Sequence, residues 1–298
     1  PILLYYESDT LRAIYVFMKK SLTDNYYDIT TPYGYGGLLF DGIINEQTLK
    51  DFNSSFIEKM KKERIVGNFV RYNPILYNAE NMRLISSVID LGQTISMDLS
   101  SHDVIWENIT CRNKIRKAKK NGVVIKHGKN LRLFDDFIKI YNQTMDKDYA
   151  NKYYYFDNQF YNSIHDHLYD NYEMFYAILD DKIISMAIMI FANKKMHYHL
   201  SGTLPDYRRF APVNLLLYKA ACWGCEQGLN IFHLGGGLGS AEDGLYKFKS
   251  GFNRNSGLQF SVSKQIFNKK KYDELVKERE NNDCLFDSSS AFFPLYRS

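Results

Sequence analysis

The sequence predicts an α+β fold, mixed α/β in content. Two similar halves each hold a mostly antiparallel sheet flanked by helices. Three observations predict it. The 298 residues are 45% hydrophobic, which suits one large or two modest globular domains. Alternating apolar runs of period two recur among runs of helical period. The order helix, antiparallel meander, helix, strand comes once in each half, although no residue-level repeat accompanies it. The halves are expected to divide at 145/146. The first domain covers 1–145 and the second 146–268, while residues from about 269 to 298 return to pack on the first. The chain opens at Pro1 rather than a methionine, which reads as a trimmed start.

Residues 2–6 read as a strand, and Asp9-Thr10 caps a helix running to about residue 20. The turn-rich segment Thr31-Pro-Tyr-Gly-Tyr-Gly-Gly37 leads into a strand at 38–40. Residues 48–64 are helical by periodicity, and 65–71 and 94–99 are strands. Ser101 caps a helix to about residue 120, stopped by Asn121-Gly122. A strand at 123–126 and a helix at 131–145 complete the first half. Strands at 173–179, 183–191 and 195–201 are joined by Asp180-Asp181 and Asn193-Lys194 turns. A loop at 203–211 precedes a helix opening on Pro212, a favourable first-turn residue. A strand at 230–234 enters a glycine loop and a short lysine-bearing helix. A strand at 257–264 and a polar helix at 269–279 follow.

Composition narrows the class. The formal net charge of +4 is too small to argue for a nucleic-acid partner. No run approaches the ~18 apolar residues of a membrane span, and no secretory signal is visible. The four cysteines include Cys222-Trp-Gly-Cys225, which has redox or zinc spacing. It lies within a helical run with no second such pair, so it reads as small apolar core residues of a cytoplasmic chain. No metal site is expected. The 24 tyrosines and 20 phenylalanines favour aromatic-lined clefts.

The richest segment is His233-Leu-Gly-Gly-Gly-Leu-Gly239, followed by Asp243-Gly-Leu-Tyr-Lys-Phe-Lys-Ser-Gly-Phe252. Gly235, Gly236 and Gly237 allow close approach of a ligand to the backbone. At about 100° per residue, Leu245, Phe248 and Phe252 form one apolar face of the helix. Lys249 sits at the edge of that face and Lys247 nearly opposite. Lys249 is then either a cation at the rim of a glycine-lined cleft, suited to an anion or oxyanion, or a snorkelling lysine beside a turn.

Three further segments and one aspartate carry alternatives. Arg208 and Arg209 precede a helix N-terminus, as phosphate donors or as a solvated pair. Tyr33 and Tyr35 sit on a glycine loop, as a binding floor or as an aromatic turn packed on the core. Arg112-Asn-Lys-Ile-Arg-Lys-Ala-Lys-Lys120 is a phosphate- or RNA-binding helix, or more simply a solvated face. Asp98 ends a strand, as a base or as a capping carboxylate. No H-E-x-x-H or G-x-S-x-G motif is present. His197 and His199 alternate on a strand like cross-strand neighbours.

Several of these segments together resemble the FemABX family: Ile109-x-x-Arg-Asn-Lys-Ile-Arg-Lys-Ala-Lys-Lys-Asn-Gly122, Tyr198-His-Leu-Ser-Gly202, Asn214-Leu-Leu-Leu217, and Leu234-Gly-Gly-Gly with Gly244-Leu-Tyr-Lys-Phe-Lys-Ser-Gly-Phe252. The resemblance spans about residues 30–255. It implies two tandem GNAT-like domains and transfer of an acyl or aminoacyl group to an amine of a cell-envelope precursor. That precursor would be a nucleotide- or lipid-linked sugar or peptide of peptidoglycan or polysaccharide biosynthesis. Acyl-CoA or aminoacyl-tRNA would be the co-substrate, with no tightly bound cofactor. The family's Phe-Lys pair falls on Phe248 and Lys249, its base on Asp98, and its substrate contacts around Asn214, Asp243 and the residues above. The sequence shows no long antiparallel helical arm of the kind that some members of that family insert for tRNA contact. Possible partners are therefore the precursor, tRNA, and a membrane surface if the acceptor is lipid-linked. The rival reading is a catalytically degenerate GNAT-like module that binds glycan or RNA, which would leave Lys249 solvated or its cleft filled by side chains.

Overall fold

The computed structural model describes residues 1–147 and 151–298. They form two compact units, one of 1–92 with 259–298 and one of 93–258. Each is a mostly antiparallel sheet flanked by helices.

The first unit begins with β1 (Ile2–Glu7), β2 (Leu11–Ser21), β3 (Tyr27–Thr30), β4 (Leu39–Gly42), α1 (Glu46–Lys62), β5 (Ile65–Arg71) and α2 (Asn78–Arg83). The helix expected over about 9–20 is instead β2. Leu11, Ala13, Tyr15 and Phe17 are buried in strict alternation with exposed Arg12, Ile14 and Val16. That period of two places one face on the core, and aromatic and β-branched residues suit it. Helix α1 starts at a capping box built by Asn45 and Thr48. It buries Leu49, Phe52, Phe56 and Met60 against the β2 face.

The second unit comprises β6 (Ile89–Asp98, from Gln93 onward), α3 (His102–Asn108), α4 (Arg112–Lys120), β7 (Val124–Gly128), α5 (Arg132–Lys147), α6 (Asn158–His167), β8 (Tyr172–Leu179), β9 (Lys182–Ala192), β10 (Lys195–Thr203), α7 (Pro212–Glu226), β11 (Ile231–Gly235) and α8 (Gly244–Ser250). Its strand order is β6-β11-β10-β9-β8-β7. The division expected at 145/146 falls inside α5. Strand β6 pairs with β11, so 93–145 belong with the second sheet.

The single helix expected from Ser101 to about residue 120 is two helices. Ile109 is extended, and the N–H groups of Thr110 and Cys111 donate to the Gly251 carbonyl at 2.9 and 3.1 Å. That contact ties the start of α4 to the end of α8.

The chain returns to the first unit with β12 (Leu258–Ile266) and α9 (Lys269–Asn282). Strand β12 pairs antiparallel with β5 from Val262↔Arg71 to Ile266↔Gly67. The order there is β1-β2-β3-β5-β12, with β4 also on β2. Tyr272, Leu275 and Tyr296 pack on Val66, and Arg297 pairs with buried Asp28.

Fully buried Asn68 links this returning segment to the core. It accepts from the Tyr15 hydroxyl at 2.8 Å and donates to Gln265 at 3.0 Å. Tyr15→Phe would leave the Asn68 carbonyl oxygen buried without its donor. The expected cost is about 1–3 kcal/mol in urea unfolding, and an unchanged midpoint would show that Asn68 finds another partner.

Candidate active site

The site is built where two parallel strands part. Strands β10 and β11 pair only over 195–197 and 231–233. Beyond that point β10 stays with β9 up to Thr203, and β11 stays with β6, Gly235 lying opposite Ile95. Register shifts fall at the divergence, between Tyr198 and Leu200 on β10 and between His233 and Gly235 on β11. Bulges of this kind bend a strand and increase its twist. Among the described residues, the edge of β10 beyond His197 therefore has no strand beside it, and β11 runs into the glycine loop.

Asp243 shapes that loop. Its carboxylate accepts from Tyr246 N at 2.8 Å, capping α8, and from Leu238 N at 3.1 Å. These backbone bonds hold its pKa below the usual carboxylate range. Asp243, expected to bind substrate, is thus a clamp between loop and helix. Gly235 takes φ +79°, and a Cβ at Gly237 would collide with the Ala241 carbonyl and the Asp243 carboxylate.

Helix α8 sorts its lysines as the periodicity predicts: Lys247 is exposed, and Lys249 is only 8% exposed. The Lys249 ammonium donates to the Gly236 carbonyl at 2.7 Å. It forms no ion pair among the described residues. Burial lowers its pKa to about 8, against a smaller opposing pull from Asp243. Phe248 meets Phe252 edge to face at 5.5 Å, and both pack on the unit's main core. Leu245 is a correction. It is 38% exposed, and Tyr246 takes the packing place expected of it.

Sequence reasoning missed a buried histidine beside this lysine. His233 is 1% exposed and its Nε2 lies 3.0 Å from the Thr94 hydroxyl. Burial, then His197 and Lys249, lower its pKa to about 3. Its ring meets that of His197 at 5.4 Å. His199 is lowered to about 4 by burial and by His197. Burial thus favours the neutral ring at His233, His199 and His197 alike. The available signal was His233 leading directly into the glycine run.

The other expected site residues lie elsewhere. Asp98 pairs with Ile231 at the start of β11. It is thus about 10 Å along the sheet from the Gly235 level at ~3.3 Å per residue. It is exposed and accepts from Ser100 N at 2.8 Å. This is the capping alternative, and the structure does not bring Asp98 to Lys249. Arg208 and Arg209 are exposed on a 3-10 turn, Pro205–Phe210, before α7. The Arg209 guanidinium lies 4.9 Å from the Phe210 ring centre. Asn214, in the first turn of α7, is buried and hydrogen-bonded to the Cys111 thiol. Tyr33 and Tyr35 belong to the first unit, where Tyr35 packs edge to face on Phe260 at 5.4 Å and burial raises its pKa to about 12. The aromatic-turn alternative describes Tyr35.

Lys249 is therefore a desolvated cation on a fixed carbonyl of the loop into which β11 runs. An ammonium has three donors, so one bond to Gly236 leaves capacity for a second oxygen. A preorganised donor of this kind suits charge that develops on a carbonyl oxygen.

Residues 109–250 match a family model described as an acetyltransferase (GNAT) domain. No curated protein matches the chain in sequence. Among solved structures, the chain is similar to FemX, with 16% identity, TM-score 0.64, and 91% of this chain and 90% of that one covered. It is also similar to the C-terminal domain of a putative lysylphosphatidylglycerol synthetase from Agrobacterium fabrum, with 13% identity, TM-score 0.60 and coverage of 94% and 87%. A third is L-PGS from Bacillus licheniformis, with 12% identity, TM-score 0.56 and coverage of 88% and 83%. These likenesses show the fold.

Replacing Gly237 with alanine should open the loop clamped by Asp243. An overpacking cost of about 1–3 kcal/mol is expected in urea unfolding. Wild-type stability in that variant would mean that the loop yields freely.

Proposed function

We propose that this chain, whose residues 109–250 match an acetyltransferase (GNAT) domain model and whose fold is similar to that of FemX, moves an acyl or aminoacyl group onto an amine of a cell-envelope precursor. The observation that carries the reading is Lys249, buried on the Gly236 carbonyl where β10 and β11 part. The activated carbonyl comes as a thioester from acyl-CoA or as an ester from aminoacyl-tRNA. An extended donor arm can line the open edge of β10 by main-chain hydrogen bonds, as an added strand does. Phosphates of either donor suit the N-terminus of α7 with Arg208 and Arg209.

The neutral amine of the acceptor attacks the carbonyl carbon, and the C–N bond forms as the carbonyl oxygen takes up charge. The Lys249 ammonium meets that charge in the transition state, where its burial makes the interaction strong. The intermediate collapses with loss of thiolate or the ribose oxygen, and the proton leaving nitrogen goes to the leaving group or to water. Asp98 has no part in this step, given its place at the far end of β11. Phe248 acts through packing, by holding α8 against the core. A binding module would leave Lys249 solvated or its cleft filled by side chains, and burial of Lys249 weighs against the first of these. A nucleotide- or lipid-linked sugar or peptide of peptidoglycan or polysaccharide assembly is the acceptor class this reading favours, with the enzyme at work in the cytoplasm.

The test is a mass shift on amino-sugar and peptide acceptors with each donor, comparing two variants. Lys249→Met keeps the apolar stem and removes the charge, so turnover should fall by about 10²–10³. Lys247→Met, at an exposed position, should change little. Equal activity of the two would remove Lys249 from the chemistry.

The pH profile separates two roles. As an oxyanion partner Lys249 must be protonated, so activity should decline as pH rises through about 8. A rise through the same pH would make the neutral amine the working form, as a base. The wild-type limb should vanish in Lys249→Met.

A further inference from the structure

Helix α4 carries six cations in nine residues and no acid: Arg112, Lys114, Arg116, Lys117, Lys119 and Lys120. Ile115 and Ala118, both fully buried, pin one side of it to the core. At about 100° per residue, Arg116, Lys117 and Lys120 point directly away from that side and the other three flank it. All but Arg112 are exposed.

Helix stability does not account for this arrangement. Cations in the last turn complement the macrodipole, but Arg112 and Lys114 occupy the first turn, where positive charge opposes it. Ion pairing does not account for it either. Other helices intersperse acids with their cations and pair some of them, as Lys50 with Glu46, Lys59 with Glu63 and Lys269 with Asp273, although Lys61, Lys62 and Lys270 form no ion pair among the described residues. None of the six on α4 forms an ion pair among the described residues. The field is extended by its neighbours. The turn bearing Arg208 and Arg209 packs against α4, and so does α7, which carries exposed Lys219.

We propose that the outer face of α4 docks the enzyme on an anionic lipid bilayer. The helix is about 13 Å long at 1.5 Å per residue, so its charges lie close enough to meet several headgroups at once. Clusters of four to eight Lys and Arg bind anionic bilayers, each worth about a fivefold gain in affinity near the surface. Single-stranded RNA is the other polyanion to consider, and it is recognised by stacking bases on aromatic faces. Here those faces are taken. The Arg112 and Arg116 guanidiniums both lie 5.6 Å from the Trp106 ring centre, and the Lys119 ammonium 5.4 Å from that of Tyr218. What is left outward is point charge on flexible stems, which suits phosphate headgroups. Docking stands independently of the transfer reading, since it needs no acceptor.

The experiment is flotation of the full chain with vesicles of phosphatidylcholine alone and of equimolar phosphatidylcholine and phosphatidylglycerol. Binding is expected on the second only, and should weaken as salt rises toward a physiological Debye length of about 8 Å. The double change Lys117→Gln with Lys120→Gln, at exposed positions, keeps helix propensity and should lower affinity about 25-fold. Lys61→Gln with Lys62→Gln on α1 should leave it unchanged. Acyl transfer to a soluble amine should persist in both variants. Equal binding to neutral vesicles, or undiminished binding by the α4 variant, would overturn the proposal. Release from phosphatidylglycerol vesicles by tRNA at matched phosphate concentration would assign the face to RNA instead.

Discussion

The hydrogen bond from the Lys249 ammonium to the Gly236 carbonyl is the contact on which the site depends. A lysine removed from water loses hydration that one neutral acceptor only partly replaces, and the lowered pKa registers that loss. The bond exists because β11 ends in glycines that turn a carbonyl toward α8, and because Asp243 fixes the loop and the helix start together. Moving any of the three would leave either the ammonium or the carbonyl unmatched. The site is thus held by backbone geometry, with few side chains to trade.

Much of this was legible in the sequence, and the limits have physical reasons. The glycine run and the opposite fates of Lys247 and Lys249 followed from helical periodicity, which a single turn of α8 already expresses. Leu245 did not, because in the first turn of this seven-residue helix it is Tyr246 that meets the core. Strand β2 was misread because Asp9-Thr10 resembles a helix cap, while the alternation of Leu11, Ala13, Tyr15 and Phe17 held the better signal. Asp98 and His233 depended on pairing between strands more than 130 residues apart. Local pattern carries no such register. The parting of β10 and β11 was likewise hidden, since it arises from register shifts against two different neighbours.

Charge shows the same contrast between sum and placement. A net charge of +4 describes an almost balanced surface, yet one nine-residue helix carries six cations without a carboxylate. Elsewhere opposite charges sit four residues apart on a helix and stabilise it by a few tenths of a kcal/mol each. On α4 that device is missing, and three of its cations, Arg112, Arg116 and Lys119, lean on Trp106 and Tyr218 instead. The Gly251 carbonyl then joins α4 to the helix that bears Lys249.

The first unit is discontinuous in sequence, because β12 and α9 return to it after the whole of the second has passed. On the ribosome, 93–258 emerge as one stretch and can reach their full sheet at once. The earlier stretch must wait, with the edge of β5 that β12 will take still open and Asn68 still lacking Gln265. Exposed strand edges of this kind invite wrong pairing while they wait. The order of synthesis therefore runs against the order of the chain: the half that carries Lys249 is assembled first, and the half that starts the polypeptide is completed last.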